Sequence, residues 1–305
     1  MSHSHGRRHA LVCSLFALLA LGSSCSTERD GDPGALGTSA IAPSGRATGF
    51  VFIGDFGTGD EDEEALSSAI RAWVRSRPFD ALVTLGDNVY DDGSPSRFDA
   101  AWTDPFGWVS DAGVPVIASL GNHDVQTADG APVMGLFDMP GRWYERTVGP
   151  ASFFVLDAND NLTHGGQMEW LSDELASSSA AWQILVFHHP MFSCGEHGST
   201  PRVQRQLPPA IDGHGVDLVV NGHDHDYQRF PPVDGTTYIV SGGGAASLYP
   251  VGGCPSDTPE PVAWNDDVHQ FLYVSATDNE LVGTAVPVEG RPLDTFRLTQ
   301  SMSGT

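Results

Sequence analysis

The chain has 305 residues, a formal net charge of −24 and 15 basic residues, every one of them arginine. So acidic a surface repels nucleic acid and anionic membranes. An anionic substrate can be held only where a concentrated positive charge, such as a metal ion, overrides that field. With 40% hydrophobic residues, 35 Gly and 21 Pro, the composition suits a loop-rich globular α/β protein and excludes a coiled coil.

Arg7 and Arg8 precede an apolar run from Ala10 to Leu21 and small residues at Gly22 to Ser24. This predicts an export signal over residues 1–25, in an apolar run too short to cross a bilayer. Leu21-Gly22-Ser23-Ser24-Cys25 is a loose lipoprotein box, so Cys25 could carry a lipid anchor, or the segment could be cleaved and the protein released. Periplasmic, secreted and membrane-anchored locations all remain open. Residues 26–48 are rich in Gly, Ser, Ala, Pro and Asp without apolar periodicity and read as a disordered leader. Beyond the signal only Cys194 and Cys254 remain; an oxidising compartment would let them pair, and two separate thiols are the alternative.

One catalytic domain is expected over residues 49–300. Gly49 to Ile53 reads as a strand; Ala65, Ala69, Ile70, Trp73 and Val74 fall at helical spacing; Ala81 to Leu85 is a second strand, completing a β-α-β unit. The acidic run Asp60 to Glu64 reads as the solvated start of that helix rather than a calcium loop. Strands follow at Val114 to Ser119, Ser152 to Asp157, Trp182 to Phe187 and Val216 to Asn221, with a helix at Gln167 to Leu175. Late runs at Thr237 to Ser241, Phe271 to Ala276, Leu281 to Val286 and Thr295 to Leu298 lack intervening helices and suggest a second, mixed sheet.

Five of these strands end in residues of metal-ligand type: Gly54-Asp55-Phe56-Gly57, Gly86-Asp87-Asn88-Val89-Tyr90, Gly121-Asn122-His123-Asp124, His188-His189-Pro190 and Gly222-His223-Asp224-His225. One alone would be an ordinary turn or cap. Five in order, at the strand ends where α/β sheets gather ligands, supply the oxygen and nitrogen donors that hard and borderline metals take. Gly242-Gly243-Gly244 has no P-loop lysine and reads as a close-approach turn near the site.

The order and spacing of these motifs resemble the calcineurin-like metallophosphoesterases, and in particular the purple acid phosphatases, including the tartrate-resistant ones, over roughly Gly49 to Val286. The wider superfamily has Asp-x-His in the first motif, where this chain has Asp55-Phe56-Gly57. The purple acid phosphatase pattern replaces that His with a Tyr three residues after the second Asp, and Tyr90 stands there. Two departures remain: His189 stands where a Tyr often follows the ligand His, leaving a one-residue ambiguity between His188 and His189, and Leu185 replaces the usual Val.

The resemblance implies an α/β fold that is a four-layer α-β-β-α sandwich of two mixed sheets. It also implies two metal ions, Fe3+ with Fe2+, Zn2+ or Mn2+. Asp55, Asp87, Tyr90 and His225 would bind the first; Asp87, Asn122, His188 and His223 would bind the second, with Asp87 bridging. His123 matches the family's substrate-contacting histidine, and His197 in Gly195-Glu196-His197-Gly198 is a candidate second one. The implied activity is hydrolysis of small phosphate monoesters by attack of a metal-bound hydroxide, with a visible charge-transfer band from phenolate to iron. A phosphodiesterase with the same metals is the alternative; a non-catalytic, ligand-binding surface lipoprotein is another. Oligomeric state is not readable from the sequence.

Overall fold

A computed structural model describes residues 46–160 and 162–300 of the chain. The expected export signal, the Cys25 lipid site and nearly all of the expected leader lie outside the described residues. Among the described residues no helix is long and apolar enough to cross a membrane.

In chain order the strands are β1 (Thr48–Ile53), β2 (Ala81–Thr84), β3 (Val116–Ala118), β4 (Tyr144–Val148), β5 (Ala151–Val155), β6 (Trp182–Val186) and β7 (Leu218–Asn221). They continue as β8 (Tyr227–Arg229), β9 (Thr237–Ser241), β10 (Ala263–Asn265), β11 (Gln270–Ala276), β12 (Glu280–Pro287) and β13 (Asp294–Thr299). The helices are α1 (Glu61–Val74), α2 (Asp104–Asp111), α3 (Ala131–Leu136), α4 (Gln167–Ser177), α5 (Pro201–Gln206) and α6 (Pro208–Ile211).

The strands form two mixed sheets, in the orders β13-β12-β11-β1-β2-β3 and β10-β8-β9-β7-β6-β5-β4. Because side chains alternate along a strand, each sheet has an inner and an outer apolar face. Phe50, Phe52 and Val83 of the first sheet meet Phe153, Ile184, Val186 and Leu218 of the second between the sheets. Val51 and Ile53 turn outward onto Leu66 and Ile70 of α1 and Phe106 of α2. Leu185 and Val219 pack on the other side beneath Leu171 and Leu175 of α4 and Val203 of α5. The result is the expected α-β-β-α sandwich. Each fully buried Phe, Leu or Val contributes about 1.5–3 kcal/mol relative to exposure, and strands buried on both faces read as continuous apolar runs.

The late strands do not make a sheet of their own. Of the four late runs read from the sequence, the one that becomes β9 joins the second sheet beside β7; β11, β12 and β13 extend the first sheet as an antiparallel meander from β1. The reason is that β1 is apolar on both faces and lies inside the sheet. It needs a partner on each edge, and β2 fills only one. Sequence periodicity also passed over β4, β8 and β10, whose stretches of five, three and three residues carry little alternation.

The acidic run opens α1 as expected: Asp60 is the N-cap, its carboxylate accepting from the backbone N–H of Asp62 and Glu63. Glu63 departs from the solvated picture, since it is fully buried and accepts from Gly59 N–H. Cys194 and Cys254 form a disulfide, which resolves the alternative the sequence left open.

Candidate metal centre

β1, β2 and β3 run parallel to one another, and so do β5, β6, β7 and β9, so the strand ends that carry the five motifs open together. Asp55 follows β1, Asp87 follows β2, Asn122 and His123 follow β3, His188 follows β6, and His223 and His225 follow β7. Asp55, Asp87 and His223 all have positive φ, at 55°, 50° and 74°, a conformation that non-glycine residues adopt at a cost and that clusters where function constrains the backbone. Gly121 admits the close approach: a Cβ there would stand 2.1 Å from Asp87 Oδ1. The Gly242 turn behaves as expected, since a Cβ at Gly242 would stand 2.6 Å from Asp55 Oδ2.

Two groups of donors share Asp87. In one, Tyr90 Oη lies 3.2 Å from Asp87 Oδ2, 3.2 Å from His225 Nε2 and 3.5 Å from Asp55 Oδ1, and His225 Nε2 lies 3.5 Å from Asp55 Oδ1. In the other, His188 Nε2 lies 3.3 Å from Asp87 Oδ2, 3.0 Å from Asn122 Oδ1 and 3.2 Å from His223 Nδ1. Asp55, Asp87 and His188 each place a ligand atom within 4.8 Å of the other two. Metal–ligand bonds of about 2.1 Å put neighbouring donors of a tetrahedral or octahedral sphere roughly 3.0–3.4 Å apart, so both groups fit a cation.

The imidazoles are aimed by backbone carbonyls. His188 Nδ1–H donates to Leu85 O and His225 Nδ1–H to Ser247 O, each at 2.8 Å. That fixes the tautomer and turns Nε2 into the site, the arrangement typical of ligating histidines. His188, not His189, faces the donors, which removes the one-residue ambiguity. His189 is buried with Nδ1 unpartnered and packs its ring on His223, centroids 4.4 Å apart.

The electrostatics ask for positive charge. Asp55, Asp87 and His188 are essentially without solvent contact. Burial lifts the Asp55 carboxyl above its ordinary range, opposed by His188. Burial works against ionised Asp87 too, yet His188 holds it down to about 2. His188 is itself pushed up to about 10, the Asp87 and Asp55 carboxylates outweighing burial. Burial and the same two carboxylates raise the Tyr90 phenol, so ionising it requires a nearby cation. Burial and the adjacent imidazoles push His223 far down, keeping it a neutral donor.

His123 and His197 lie at the rim. His123 N–H donates to Asp87 Oδ1 at 2.8 Å, its Nδ1–H donates to Asp91 O, and its exposed Nε2 lies 4.0 Å from Asp87 Oδ2. The exposed His197 ring stacks on His223, centroids 4.3 Å apart. All nine candidate residues therefore gather in one region.

Sequence reasoning gave no role to three further residues. Asp124, fully buried, accepts from the backbone N–H of Asn88, Val89 and Gly121 and from Asn88 Nδ2, tying the second motif to the third. Asp224, also fully buried, accepts from His197 N–H at 2.8 Å and from Ser193 Oγ. Tyr249 stacks its ring on His225, centroids 4.1 Å apart and planes 11° apart. Both aspartates stand inside the glycine-led motifs, which was a usable signal; nothing local marks Tyr249.

A sequence profile of the calcineurin-like phosphoesterases matches residues 49–227. Purple acid phosphatase 3 of Arabidopsis thaliana is 25% identical over 284 residues, 82% of this chain and 77% of that protein. Tartrate-resistant acid phosphatase type 5 of Homo sapiens is 26% identical over 294 residues, 82% of this chain and 90% of that protein. Among solved structures, a purple acid phosphatase from yellow lupin (Lupinus luteus) seeds superposes with a TM-score of 0.74 at 21% identity, covering 86% of this chain and 55% of that one. This chain thus spans just over half the lupin protein's length. GAP50, the anchor in the inner membrane complex of Plasmodium, superposes with a TM-score of 0.71 at 19% identity, covering 84% of this chain and 90% of that one. At such identities the structural likeness shows the fold.

Proposed function

This chain belongs to the calcineurin-like phosphoesterase family, and from that premise we propose that it is an exported hydrolase of small phosphate monoesters that works with two metal ions. The observation that carries the reading is the convergence of Asp55, Asp87, Tyr90, Asn122, His188, His223 and His225 on one buried point, with Asp87 common to both donor groups. Asp55, Asp87, Tyr90 and His225 would hold the first ion. Two carboxylates and a phenolate match a hard trivalent cation such as Fe3+. Asp87, Asn122, His188 and His223 would hold a second ion, Fe2+, Zn2+ or Mn2+. When bound, the pair supplies Lewis-acid charge for phosphate oxygens and lowers the pKa of water at the site.

The chain's own residues do the rest. His123 commits Nδ1–H to the Asp91 carbonyl and keeps Nε2 at the open rim, where a protonated imidazole can give its proton to a departing alkoxide. Asp87 accepts the His123 backbone N–H and so fixes that ring's root beside the bridge. His197, held by Asp224, offers a second imidazole to phosphate from the opposite wall. The Cys194–Cys254 disulfide supports export, because such bonds persist in oxidising compartments.

A phosphodiesterase would use the same donors. The fold also serves GAP50, described as an anchor, so the fold alone does not decide for catalysis; the complete donor set favours it. The test is metal content and visible spectrum of purified protein, with turnover of 4-nitrophenyl phosphate and bis(4-nitrophenyl) phosphate from acid to neutral pH. Two metals per chain and faster monoester turnover support the proposal. Two metals with no turnover of either ester would move the reading to a binding protein, and diester preference to a phosphodiesterase.

A further inference from the structure

The two histidines that close the metal motifs each carry an aromatic cover. His197 stacks on His223 with planes 21° apart, and Tyr249 stacks on His225. The two covers meet edge to face, His197 and Tyr249 centroids lying 5.2 Å apart at 81°. They come from separate loops, residues 193–199 and 245–258, which the Cys194–Cys254 disulfide joins. Both rings keep solvent-facing surface.

Each loop is built to stay where it is. Ala245 and Ala246 donate backbone N–H to Asp55 O, Tyr249 N–H donates to His225 O, and Gly252 N–H donates to Cys194 O at 2.7 Å. On the other loop, Cys194 N–H donates to Gln228 Oε1 and His197 N–H to Asp224 Oδ1, and Ser199 Oγ bonds Thr258 Oγ1 across the pair. Gly195 packs so tightly that a Cβ would stand 2.6 Å from Asp224 Cγ. A wall ordered in advance does not have to pay ordering entropy when a ligand arrives.

We propose that Tyr249, braced by the Cys194–Cys254 disulfide, is the specificity-determining residue for the leaving group, favouring phosphate esters of neutral, planar, aromatic alcohols. The proposal rests on the phosphoesterase reading above and goes beyond it. One face of the Tyr249 ring is spent on His225 and the ring also meets His197; the surface it keeps towards solvent can stack a flat leaving group while the phosphate sits among the metal donors. The exposed Glu196 beside His197 disfavours leaving groups with further negative charge.

The experiment compares phenylphosphonate with methylphosphonate, neither of which is hydrolysed, by calorimetric titration of the metal-loaded protein. It adds kcat/KM for 4-nitrophenyl phosphate and glycerol 2-phosphate. An aromatic contact is worth about 0.5–1.5 kcal/mol, which is roughly a two- to tenfold effect. Tyr249→Ala should weaken phenylphosphonate binding and 4-nitrophenyl phosphate turnover by that factor relative to methylphosphonate binding and glycerol 2-phosphate turnover in the same variant. Tyr249→Phe should keep the aryl preference. The Cys194→Ser, Cys254→Ser double variant should show the same selective loss with Tyr249 still present. Equal weakening of both ligands in Tyr249→Ala, or weakening of neither, overturns the proposal alone, and full aryl preference in the double variant overturns the brace. Wild-type protein that holds two metals but binds neither phosphonate overturns the proposal together with the phosphoesterase reading.

Discussion

The phenol oxygen of Tyr90 stands 3.2 Å from His225 Nε2, and because His225 commits Nδ1–H to Ser247 O, a neutral His225 presents a lone pair to that phenol. The Asp55 and Asp87 carboxylates crowd the same oxygen. The single Tyr90 O–H can donate to only one of these three acceptors at a time, and a cation at the same point would satisfy all of them together. Tyr90→Phe removes the oxygen and leaves the ring on His123, centroids 4.5 Å apart. The variant should fold, lose any visible charge-transfer band, and bind the first metal at least about tenfold more weakly. Spectra and metal titration of the two proteins check this; an unchanged band would remove Tyr90 from the ligand set.

Asp87 and His123 should fail in different ways. Asp87 belongs to both donor groups, so Asp87→Ala should empty both metal positions and abolish turnover. His123 touches the donors through its backbone, at 4.0 Å through Nε2 and by its ring against Tyr90, and belongs to neither donor group. His123→Ala should therefore keep two metals and lose about 10²- to 10⁴-fold in kcat, the usual contribution of a general acid. Plasma mass spectrometry beside kinetics separates the cases, and equal metal loss in both would refute the division of roles.

These roles were legible because every motif ends an apolar strand with a donor, four of the five led by a glycine, a local signal that survives without knowledge of the fold. The pairing of β1 with β11 was not, since Phe52 and Leu272 meet across more than 200 residues of chain. Periodicity says only that β1 needs two neighbours, not which ones. Asp124 was visible as a motif residue, but its work is to gather N–H groups from a different loop, which no spacing within its own motif reveals. Tyr249 is placed by a disulfide and by backbone bonds to Asp55 and His225 loops, and nothing in its neighbours announces the His225 ring beneath it.

Glu63 gives the fold a pH dependence. Burial lifts its carboxyl to about 9, against the pull of the Gly59 N–H, while in the unfolded chain it titrates near 4.3. Between those values the native state holds a proton that the unfolded state has released, so stability is fully present below the unfolded pKa and falls as pH rises towards 9. The slope is at most about 1.4 kcal/mol per pH unit from this group. Glu63→Gln imitates the protonated acid and should flatten the decline in melting temperature from about pH 5 to pH 9. Parallel melting profiles for variant and wild type would show that Glu63 does not titrate in this way.

Gly121 tests whether the site depends on shape as well as on donors. A methyl group there would stand 2.1 Å from Asp87 Oδ1 and 2.2 Å from Asp87 N, and Asp87 cannot retreat without disturbing both donor groups. Gly121→Ala removes no ligand, so a site defined only by its donor list would keep its metals. A site defined by geometry should lose roughly 10- to 100-fold in affinity for both, and the protein should lose about 1–3 kcal/mol of stability from overpacking. Gly107 in α2 is the matched control, because a Cβ added there meets nothing within 4 Å. Gly107→Ala should leave metal binding untouched and stabilise the helix by about 0.5–1 kcal/mol. Metal affinity that falls in the first variant and holds in the second would locate the requirement in the contact between Gly121 and Asp87; affinity unchanged in both would mean that the loop yields and that the donors alone suffice.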